Sequence, residues 1–413
     1  MTGHKEVFWG WYIVAGSFLV LAVTYGARYC FGVFVEPLYL ENGWSRSVIS
    51  LAATINLSIY SIGAIFVGRL LDRVAPRWII TFGALCAATG FILTTLVKSP
   101  FSFYLTYGVL VGLGAAGMGI VVCGSSVGKW FIKMRGTALG ITTMGVGFGT
   151  VALIPLSGFL GKYFGWRIVM LILGIITLVI GVTVSQLLMR KTKPEDYGLA
   201  PDGDKTMSTA PECRAPAESK IALKILFTDS RFWTIAICQS LVLVVVMTVF
   251  VHQIPYAVEK TIDSVSAANS LATVSLVGFF SKLFFGWLSD RLRDPKYAFF
   301  LGVCFLICGM IVFNYADSIG RFYVFAVIFG FGYGFVAPVL PILIIDRFGR
   351  HVMGSIYGLL TSISAFIGSL GPILGGAIYD LNGSYSYLWL VNVAILLIAC
   401  LTILALKKDR PAT

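Results

Sequence analysis

The sequence predicts an all-α integral membrane protein, with twelve transmembrane helices arranged as two six-helix parallel repeats. Three observations carry this prediction: an extreme apolar composition, apolar runs long enough to cross a bilayer, and an internal match between the two halves of the chain. Of its 413 residues, 58% are hydrophobic and 12% are charged. Because soluble domains carry about 25% charged residues, this composition excludes a water-soluble protein of this size.

Apolar runs of about 20 residues, the length at which an α-helix crosses a hydrocarbon core of about 30 Å, recur along the chain. The first run contains Tyr25, Arg28 and Tyr29 and has no small-residue cleavage site, so we interpret it as a retained helix rather than a signal peptide. The predicted spans cover roughly residues 11–36, 47–70, 78–97, 102–127, 137–160, 167–189, 231–256, 267–289, 297–316, 321–345, 354–379 and 387–406.

The 31 Lys and Arg residues give the chain a formal net charge of +12. Such a charge is compatible with nucleic-acid binding, but the basic residues are concentrated in the loops on one side of the predicted membrane. This asymmetry is the positive-inside bias of multi-pass membrane proteins. We therefore predict a protein of the cell membrane, plasma or inner, with both termini in the cytoplasm, the lipid bilayer around it and no nucleic-acid partner.

The eight cysteines and the glycine-rich rows are interpreted as packing features. Almost all of the cysteines fall within predicted spans, without the histidines or acids of a metal site. The glycine-rich rows also lie inside spans, and no Lys-Ser or Lys-Thr pair follows them at the spacing of a nucleotide-binding loop. We therefore expect no metal, no cofactor and no direct use of ATP.

One polar segment divides the chain into two halves of six spans each. Residues 190–230 are rich in Pro, Asp, Glu, Lys and Ser and show no apolar periodicity, which is typical of a flexible linker. This division predicts an N-terminal half at 1–189, a cytoplasmic linker at 190–230 and a C-terminal half at 231–413.

The two halves match each other at a constant offset of 218 positions. The matched pairs include Pro37 and Pro255, Gly68 and Gly286, Asp72 and Asp290, Arg73 and Arg291, Gly114 and Gly332, and Gly158 and Gly376. A match of this length indicates duplication. Because a unit of six spans keeps its orientation in the membrane, we expect parallel repeats with a substrate site near the midplane between them.

Two cations interrupt otherwise apolar spans. Arg28 lies eight residues before Glu36, at the predicted outer end of span one. Lys282 lies eight residues before Asp290, at the predicted inner end of span eight. At about 1.5 Å per residue, each cation is about 12 Å from the end of its span and therefore near the centre of the bilayer. A charge at this depth is costly, and this distance exceeds the comfortable reach of a lysine that snorkels to the interface.

The two cations are interpreted as ligands for an organic anion. The interiors of the predicted spans contain no Asp or Glu, so the sequence offers no acid there as a counter-charge. Snorkelling or capping of backbone carbonyls is the alternative. The repeat favours a chemical role, because Lys282 matches Ala64 and Arg28 matches Val246. The pair is thus absent from the duplicated scaffold.

Polar and aromatic residues at helical spacing accompany the two cations. Tyr25 and Tyr29 share a face with Arg28. Ordinary packing is the alternative for each aromatic residue taken alone. The further candidates for the substrate site are Asn56 and Tyr60 in span two, Tyr333 in span ten, and Thr361 and Ser364 in span eleven.

His252 lies near the end of span seven and is the one histidine inside a predicted span. Because imidazole titrates near neutral pH, His252 is a candidate coupling or gating residue. A histidine at a helix end that simply meets water is the alternative.

The stretch from Gly68 to Arg77, GRLLDRVAPR, resembles the signature loop of the major facilitator superfamily, and the stretch from Gly286 to Arg291, interpreted here as a turn, resembles its second copy. The resemblance extends over the whole chain and implies a transporter fold. It also implies that Asp72 and Arg73, with Asp290 and Arg291, form a cytoplasmic gate by charge pairing and helix-end contacts.

Three further stretches are similar to the monocarboxylate porters and their oxalate:formate antiporter relatives: Trp130 to Gly140, His252 to Tyr256, and Lys193 to Gly203. Within that group, the resemblance implies a carboxylate-binding cation in span eight, which is an arginine in the relatives and Lys282 in this chain.

The chain departs from that group at two further positions. The aspartate that many animal members carry one turn before the span-eight cation is replaced by Gly278. The lysine that the oxalate antiporter carries in span eleven matches Ser364. The loss of the bidentate arginine fork in span eight leaves Arg28 as the residue that supplies such a fork.

The resulting hypothesis is a secondary active transporter of small organic anions, specifically a proton-coupled symporter of lactate-like or pyruvate-like monocarboxylates that works by alternating access. A carboxylate exchanger of the oxalate:formate type is the alternative within transport. A sensor with the transporter fold is the alternative from another class. No nucleophile with a base is present at helical spacing, so we do not expect an enzyme. We expect the protein to function as a monomer.

Overall fold

The computed structural model describes residues 8–44, 46–190, 193–194, 201–203, 228–262, 264–349 and 352–406. Most of the predicted linker at 190–230 lies outside these ranges. Within them, every regular element is a helix. The prediction of an all-α protein is therefore confirmed.

Eleven helical segments are long and apolar enough to cross a membrane by their length and composition. The longest of them, Arg135–Leu187, has 53 residues. At about 1.5 Å per residue its length is about 80 Å, which is more than twice the thickness of the hydrocarbon core. Gly165 inside it has a φ of 78° and a ψ of 162°, so the helix breaks there and separates spans five and six. The described residues thus contain the twelve predicted spans.

The helices follow the predicted spans, and their ends differ from the prediction by only a few residues in most spans. Spans three and four begin at prolines, whose fixed φ and missing N–H suit the first turn of a helix. In chain order the helices are Gly10–Tyr29 and Phe31–Asn42 (span one), Arg46–Leu71 (two), Pro76–Thr94 (three), Pro100–Phe103, Tyr104–Val111, Gly112–Met118 and Ile120–Trp130 (four), Arg135–Leu187 (five and six), Ser230–Glu259 (seven), Ser264–Arg291 (eight), Lys296–Asn314 (nine), Ile319–Tyr333 and Val336–Phe348 (ten), Met353–Gly368 and Leu370–Asn382 (eleven), and Ser386–Leu404 (twelve).

The apolar stretch of span one covers Gly10–Val35, close to the predicted 11–36, although its helix is interrupted at Cys30 and a second helix continues to Asn42. One detail of the prediction was wrong. The stretch from Gly286 to Arg291, interpreted as a turn, forms the last turns of the helix Ser264–Arg291. The helix continues through its glycine and its polar residues, since a helix tolerates both at a modest cost in free energy.

The two halves also share unusual backbone conformations at matched positions. Positive φ values occur at Gly43 and, 218 positions later, at Thr261, with values of 67° and 60°. They recur at Gly165 and Gly383, again 218 positions apart, with values of 78° and 66°. Thr261 is a β-branched residue in a region that such residues rarely adopt, so the inherited loop geometry has been kept there without its glycine.

The chain divides into two compact units, which are described separately. The first comprises residues 1–209 together with 350–359, and the second comprises residues 210–349 together with 360–413. The first unit therefore includes the start of span eleven.

Glycines allow close helix crossings inside each unit, as the sequence predicted for the glycine-rich rows. In the first unit, a Cβ on Gly149 in span five would lie 1.8 Å from the carbonyl oxygen of Ala22 in span one. In the second unit, a Cβ on Gly330 in span ten would lie 2.7 Å from the carbonyl oxygen of Val274 in span eight. Any larger side chain at these positions would push the helices apart.

One described part of the predicted linker packs against the first unit. Pro201–Gly203 forms a short 3₁₀ turn in which Asp202 has a φ of 61°. One carboxylate oxygen of Asp202 accepts hydrogen bonds from the backbone N–H groups of Ile132 and Lys133, at 3.0 and 2.8 Å. The turn Pro201–Gly203 is thereby fixed to the loop between spans four and five.

An ion pair joins the end of the second helix of span one to the start of span six. Arg167 donates a hydrogen bond to one carboxylate oxygen of Glu41. Trp166 Nε1 donates to the other oxygen at 2.6 Å. These bonds, with Arg167 as the largest cause, hold the pKa of the Glu41 carboxyl below its usual range.

We expect Glu41→Gln to lower the free energy of unfolding by less than about 1 kcal/mol at neutral pH, because both partners of this pair keep solvent contact. A carboxyl group with a lowered folded pKa contributes stability above its unfolded pKa and loses that contribution as the pH falls through the folded pKa. The difference in Tm between the two proteins should therefore shrink below about pH 4. Thermal unfolding in detergent from pH 7 to pH 3 measures this, and a difference that does not change over the range contradicts it.

Candidate functional site

Arg28 lies in the first unit, two residues before the break in span one. Its Nε donates a hydrogen bond to Asn56 Oδ1 at 2.7 Å. Its guanidinium carbon lies 4.5 Å from the centre of the Tyr60 ring, so the cation stacks on an aromatic face. Among the described residues, neither terminal nitrogen of Arg28 has a hydrogen-bond partner. The side chain therefore presents a fork of donors, the geometry that matches a carboxylate.

Five ion pairs of the described part of the chain join an acidic side chain to an arginine other than Arg28. They join Arg167 to Glu41, Arg231 to Asp229, Arg321 to Asp317, and Arg347 to both Asp294 and Asp346.

Asn56 connects Arg28 to span four. Its residue exposure is 2%, so it is buried behind Arg28. Its Nδ2 donates to the backbone carbonyl of Tyr107 at 2.9 Å, while its Oδ1 accepts from Arg28. Both polar atoms of the amide are thus engaged within the protein.

The two predicted tyrosines of span one occupy different environments. Tyr25 is buried, and its hydroxyl lies 2.8 Å from the hydroxyl of Tyr60. Tyr29 is 51% exposed. Tyr60 therefore contacts Arg28 through the face of its ring and Tyr25 through its hydroxyl group. The sequence analysis selected Tyr60 as a candidate for its place in span two, one turn after Asn56.

Lys282 lies in the second unit, in span eight, with a residue exposure of 7%. Span ten packs closely against it: a Cβ on Gly334 would lie 2.8 Å from the backbone nitrogen of Lys282. A Cβ on Gly278, one turn before Lys282, would lie 2.8 Å from Cδ1 of Tyr333. Gly278 therefore makes room for the Tyr333 ring on this face of span eight. An acid at position 278 would require that ring to move.

His252 bridges span seven to spans eleven and twelve of the second unit. Its Nε2 lies 2.9 Å from the carbonyl oxygen of Pro372 and its Nδ1 lies 3.3 Å from the hydroxyl of Tyr385. Because a carbonyl oxygen only accepts, Nε2 carries the proton of a neutral ring. Nδ1 of that ring then accepts from Tyr385. Protonation of the imidazole would require this second hydrogen bond to reverse.

A cavity of about 470 Å³ opens beside this bridge. It is lined by Ile254, Pro255, Glu259, Tyr379 and Tyr385. Glu259 links two segments that line the cavity, since its carboxylate accepts hydrogen bonds from the hydroxyl of Ser384 and from the N–H of Tyr385. The partner of His252 thus lines a cavity of the second unit.

Ser364 is fully buried, and its hydroxyl accepts a hydrogen bond from Ser240 in span seven at 3.4 Å. The structure therefore places this predicted site residue in the contact between spans seven and eleven.

Asp72 contacts the start of span eleven, within the first unit. One carboxylate oxygen accepts hydrogen bonds from the hydroxyl and the N–H of Ser355, the latter at 3.2 Å. A Cβ on Gly354 would lie 2.8 Å from the other oxygen. This crowding desolvates the carboxylate and raises the pKa of Asp72, although the residue as a whole is exposed. A carboxylate at a helix N-terminus is also favoured by the helix dipole.

The other predicted gate residues lie at the ends of spans two and eight. Arg73 is exposed. Arg291 is also exposed, and its guanidinium carbon lies 4.5 Å from the centre of the Trp287 ring. Asp290 lies in the last turn of the helix Ser264–Arg291.

The sequence analysis missed a buried ion pair at one end of the second unit. One terminal nitrogen of Arg347 lies 2.7 Å from each carboxylate oxygen of Asp294. The side chain of Arg347 is 1% exposed. The repeat offers a signal for the cation only, since Arg347 matches Lys129 whereas Asp294 matches Pro76.

Residues 17–372 match the model of the Major Facilitator Superfamily. The chain is 27% identical to human monocarboxylate transporter 12 over 427 residues, which cover 94% of this chain and 79% of the relative. It is 26% identical to human monocarboxylate transporter 2 over 415 residues, which cover 96% of this chain and 85% of the relative.

Solved transporter structures have the same fold. The proton:xylose symporter XylE superposes with a TM-score of 0.79 at 12% identity, covering 97% of this chain and 96% of the other. The Major Facilitator Superfamily transporter FucP, in the outward conformation, gives a TM-score of 0.72 at 14% identity, covering 96% and 99%. The family match agrees with the predicted transporter class and not with an enzyme. The chain belongs to the Major Facilitator Superfamily and resembles its monocarboxylate transporters.

Proposed function

We propose that the protein is a proton-coupled symporter of small monocarboxylates, of the size of lactate and pyruvate, that works by alternating access. The observation that carries the proposal is the donor fork of Arg28, which lies in a membrane-spanning helix and is stacked on Tyr60. A guanidinium held in this way favours a planar carboxylate as its ligand. The names of the relatives, monocarboxylate transporters 2 and 12, agree with a ligand of this class.

We also assign Lys282 to substrate binding. It contributes a buried positive charge in span eight, beside Tyr333. A lysine acts as a point charge and imposes no bidentate geometry, so orientation of the carboxylate is assigned to Arg28. Tyr25 supports Tyr60 by its hydroxyl contact, and the exposed Tyr29 completes the aromatic wall.

Charge supports symport with a proton. Moving one elementary charge against 100 mV costs about 2.3 kcal/mol. A carboxylate that enters together with one proton carries no net charge and avoids this cost. We assign the coupling or gating role to His252, because protonation of its ring would reverse the hydrogen bond with Tyr385 and so alter the contact between spans seven and twelve.

Asp72, Arg73, Asp290 and Arg291 are assigned to the cytoplasmic gate. The contact of Asp72 with Ser355 supports this assignment, since breaking it would release the start of span eleven. We further propose that the protein works as a monomer in the cell membrane, with both termini in the cytoplasm. The six-span halves at 1–189 and 231–413, joined by the linker at 190–230, form the moving parts.

Uptake of labelled L-lactate into proteoliposomes tests the proposal. We expect an inward proton gradient to drive uptake into vesicles that contain no substrate, and a protonophore to remove it. Pyruvate should compete with lactate. Uptake that requires preloaded carboxylate would establish exchange and contradict symport. Binding of lactate without flux in any condition would contradict transport.

A further inference from the structure

Three residues of the first unit form a closed hydrogen-bonded circuit around the Arg28 backbone and side chain. The side chain of Arg28 donates to Asn56, and Asn56 donates to the backbone carbonyl of Tyr107. The hydroxyl of Tyr107 donates in turn to the backbone carbonyl of Arg28 at 3.1 Å. Tyr107 therefore contacts Arg28 directly through its hydroxyl and indirectly, by way of Asn56, through its carbonyl.

The backbone at both ends of this circuit is irregular. Tyr107 lies in a π-helical segment, Tyr104–Val111, where the helix widens and its carbonyl oxygens are directed differently from those of an α-helix. Arg28 lies next to the break at Cys30, where the regular hydrogen-bond pattern of span one is interrupted. The amide of Asn56 and the hydroxyl of Tyr107 supply hydrogen bonds to carbonyls at these two irregular places.

The ring of Tyr107 is fixed by its surroundings. The residue is 1% exposed. The centre of its ring lies 5.0 Å from that of Phe31 and 5.6 Å from that of Phe103. A hydroxyl on a ring packed in this way has little freedom, so it defines the position of the Arg28 carbonyl.

We propose that Tyr107 is a positioning residue, which aims the Arg28 fork at the substrate carboxylate through Asn56 and through the backbone of span one. This inference rests on the proposed carboxylate site and extends it to span four. Tyr107 has no role of its own in contact with substrate. Its effect is to hold the guanidinium in one orientation before substrate arrives, which reduces the entropy lost on binding.

The test compares Tyr107→Phe with Tyr104→Phe. Phenylalanine keeps the ring and removes only the hydroxyl. Tyr104 is a matched control, because it lies in the same π-helical segment and its hydroxyl also donates to a backbone carbonyl. That carbonyl belongs to Val48 in span two, at 3.1 Å, and not to Arg28. We expect Tyr107→Phe to raise the KM for L-lactate about fivefold with little change in the maximal rate, the size expected for one lost hydrogen bond. Tyr104→Phe should leave KM unchanged.

A second variant keeps Tyr107 intact. Asn56→Leu replaces the amide by an apolar group of similar volume and opens the circuit at its centre, so it should also raise the KM. In the double variant with Tyr107→Phe, the effect on KM should be smaller than that expected from combining the two single effects, because both act on Arg28. Stabilisation of the purified protein by lactate, measured as a shift in Tm, gives a readout that does not depend on transport.

The outcomes separate this inference from the proposed function. If Arg28→Gln abolishes lactate binding while Tyr107→Phe binds as the wild type does, the positioning role is overturned and the carboxylate site stands. If Arg28→Gln binds lactate normally, the carboxylate site and the positioning role fail together. If both tyrosine variants raise KM equally, the hydroxyl of Tyr107 has only a general packing role and the inference is overturned.

Discussion

Lys282→Gln is expected to abolish lactate uptake in proteoliposomes while the protein remains folded. The substitution removes a positive charge from a residue that is 7% exposed within span eight. A carboxylate bound by Lys282 would then lose this counter-charge in a medium of low dielectric constant, where such attraction is strongest. We expect uptake to fall at least about a hundredfold, the effect of losing about 3 kcal/mol of binding or transition-state stabilisation.

The thermal stability of Lys282→Gln should rise or stay the same, although uptake falls. A lysine at the centre of a transmembrane helix costs about 3 kcal/mol on insertion scales, and glutamine carries no charge. We therefore expect a Tm equal to or above that of the wild type. Lost uptake with retained Tm identifies a functional loss rather than misfolding.

Two control variants complete this experiment. Lys282→Arg keeps the charge and should retain uptake, whereas the exposed Lys98→Gln should behave as the wild type does. Wild-type uptake by Lys282→Gln would refute the assignment of Lys282 to the substrate site.

Arg347→Met is expected to cause the largest loss of stability. Arg347 forms ion pairs with Asp294 and Asp346, and its side chain is 1% exposed. Removing one partner of a buried ion pair costs about 3–5 kcal/mol, because the remaining charge is left without compensation. Thermal unfolding in detergent should therefore show a large fall in Tm.

The exposed pair Arg321 and Asp317 supplies the matched control, with side-chain exposures of 54% and 67%. Arg321→Met should change the free energy of unfolding by less than about 1 kcal/mol, because solvent screens exposed pairs. Adding Asp294→Asn to Arg347→Met should recover part of the loss. Equal small effects of Arg347→Met and Arg321→Met would mean that burial does not govern the strength of these pairs.

Much of the fold followed from the sequence. The apolar runs located the spans, because a helix in a bilayer must satisfy its backbone hydrogen bonds internally and expose apolar side chains. The offset of 218 positions, read from other residues, also relates the positive φ values at Gly43 and Thr261 and at Gly165 and Gly383. Helix ends were less certain. The stretch up to Arg291 stayed helical, because polar residues alone do not stop a helix.

The candidate site was only partly accessible from sequence. Arg28 and Lys282 were selected because a charged residue within an apolar run needs an explanation. Tyr107 was missed, because an aromatic residue in a membrane span has ordinary packing as its default role. Its contribution depends on which carbonyl lies opposite, and residues 28 and 107 are 79 positions apart.

The sequence by itself determined that this chain is a helical membrane protein built by duplication, with two unmatched cations in its spans. These properties depend on composition and spacing, which are local and countable. Only the tertiary structure decided how a cation is held: Arg28 is fixed by Asn56, Tyr60 and Tyr107 from two other spans. Hydrogen bonds and stacking need distances of a few ångströms between atoms far apart in the chain, and such distances are set by helix crossings, which no one-dimensional pattern contains.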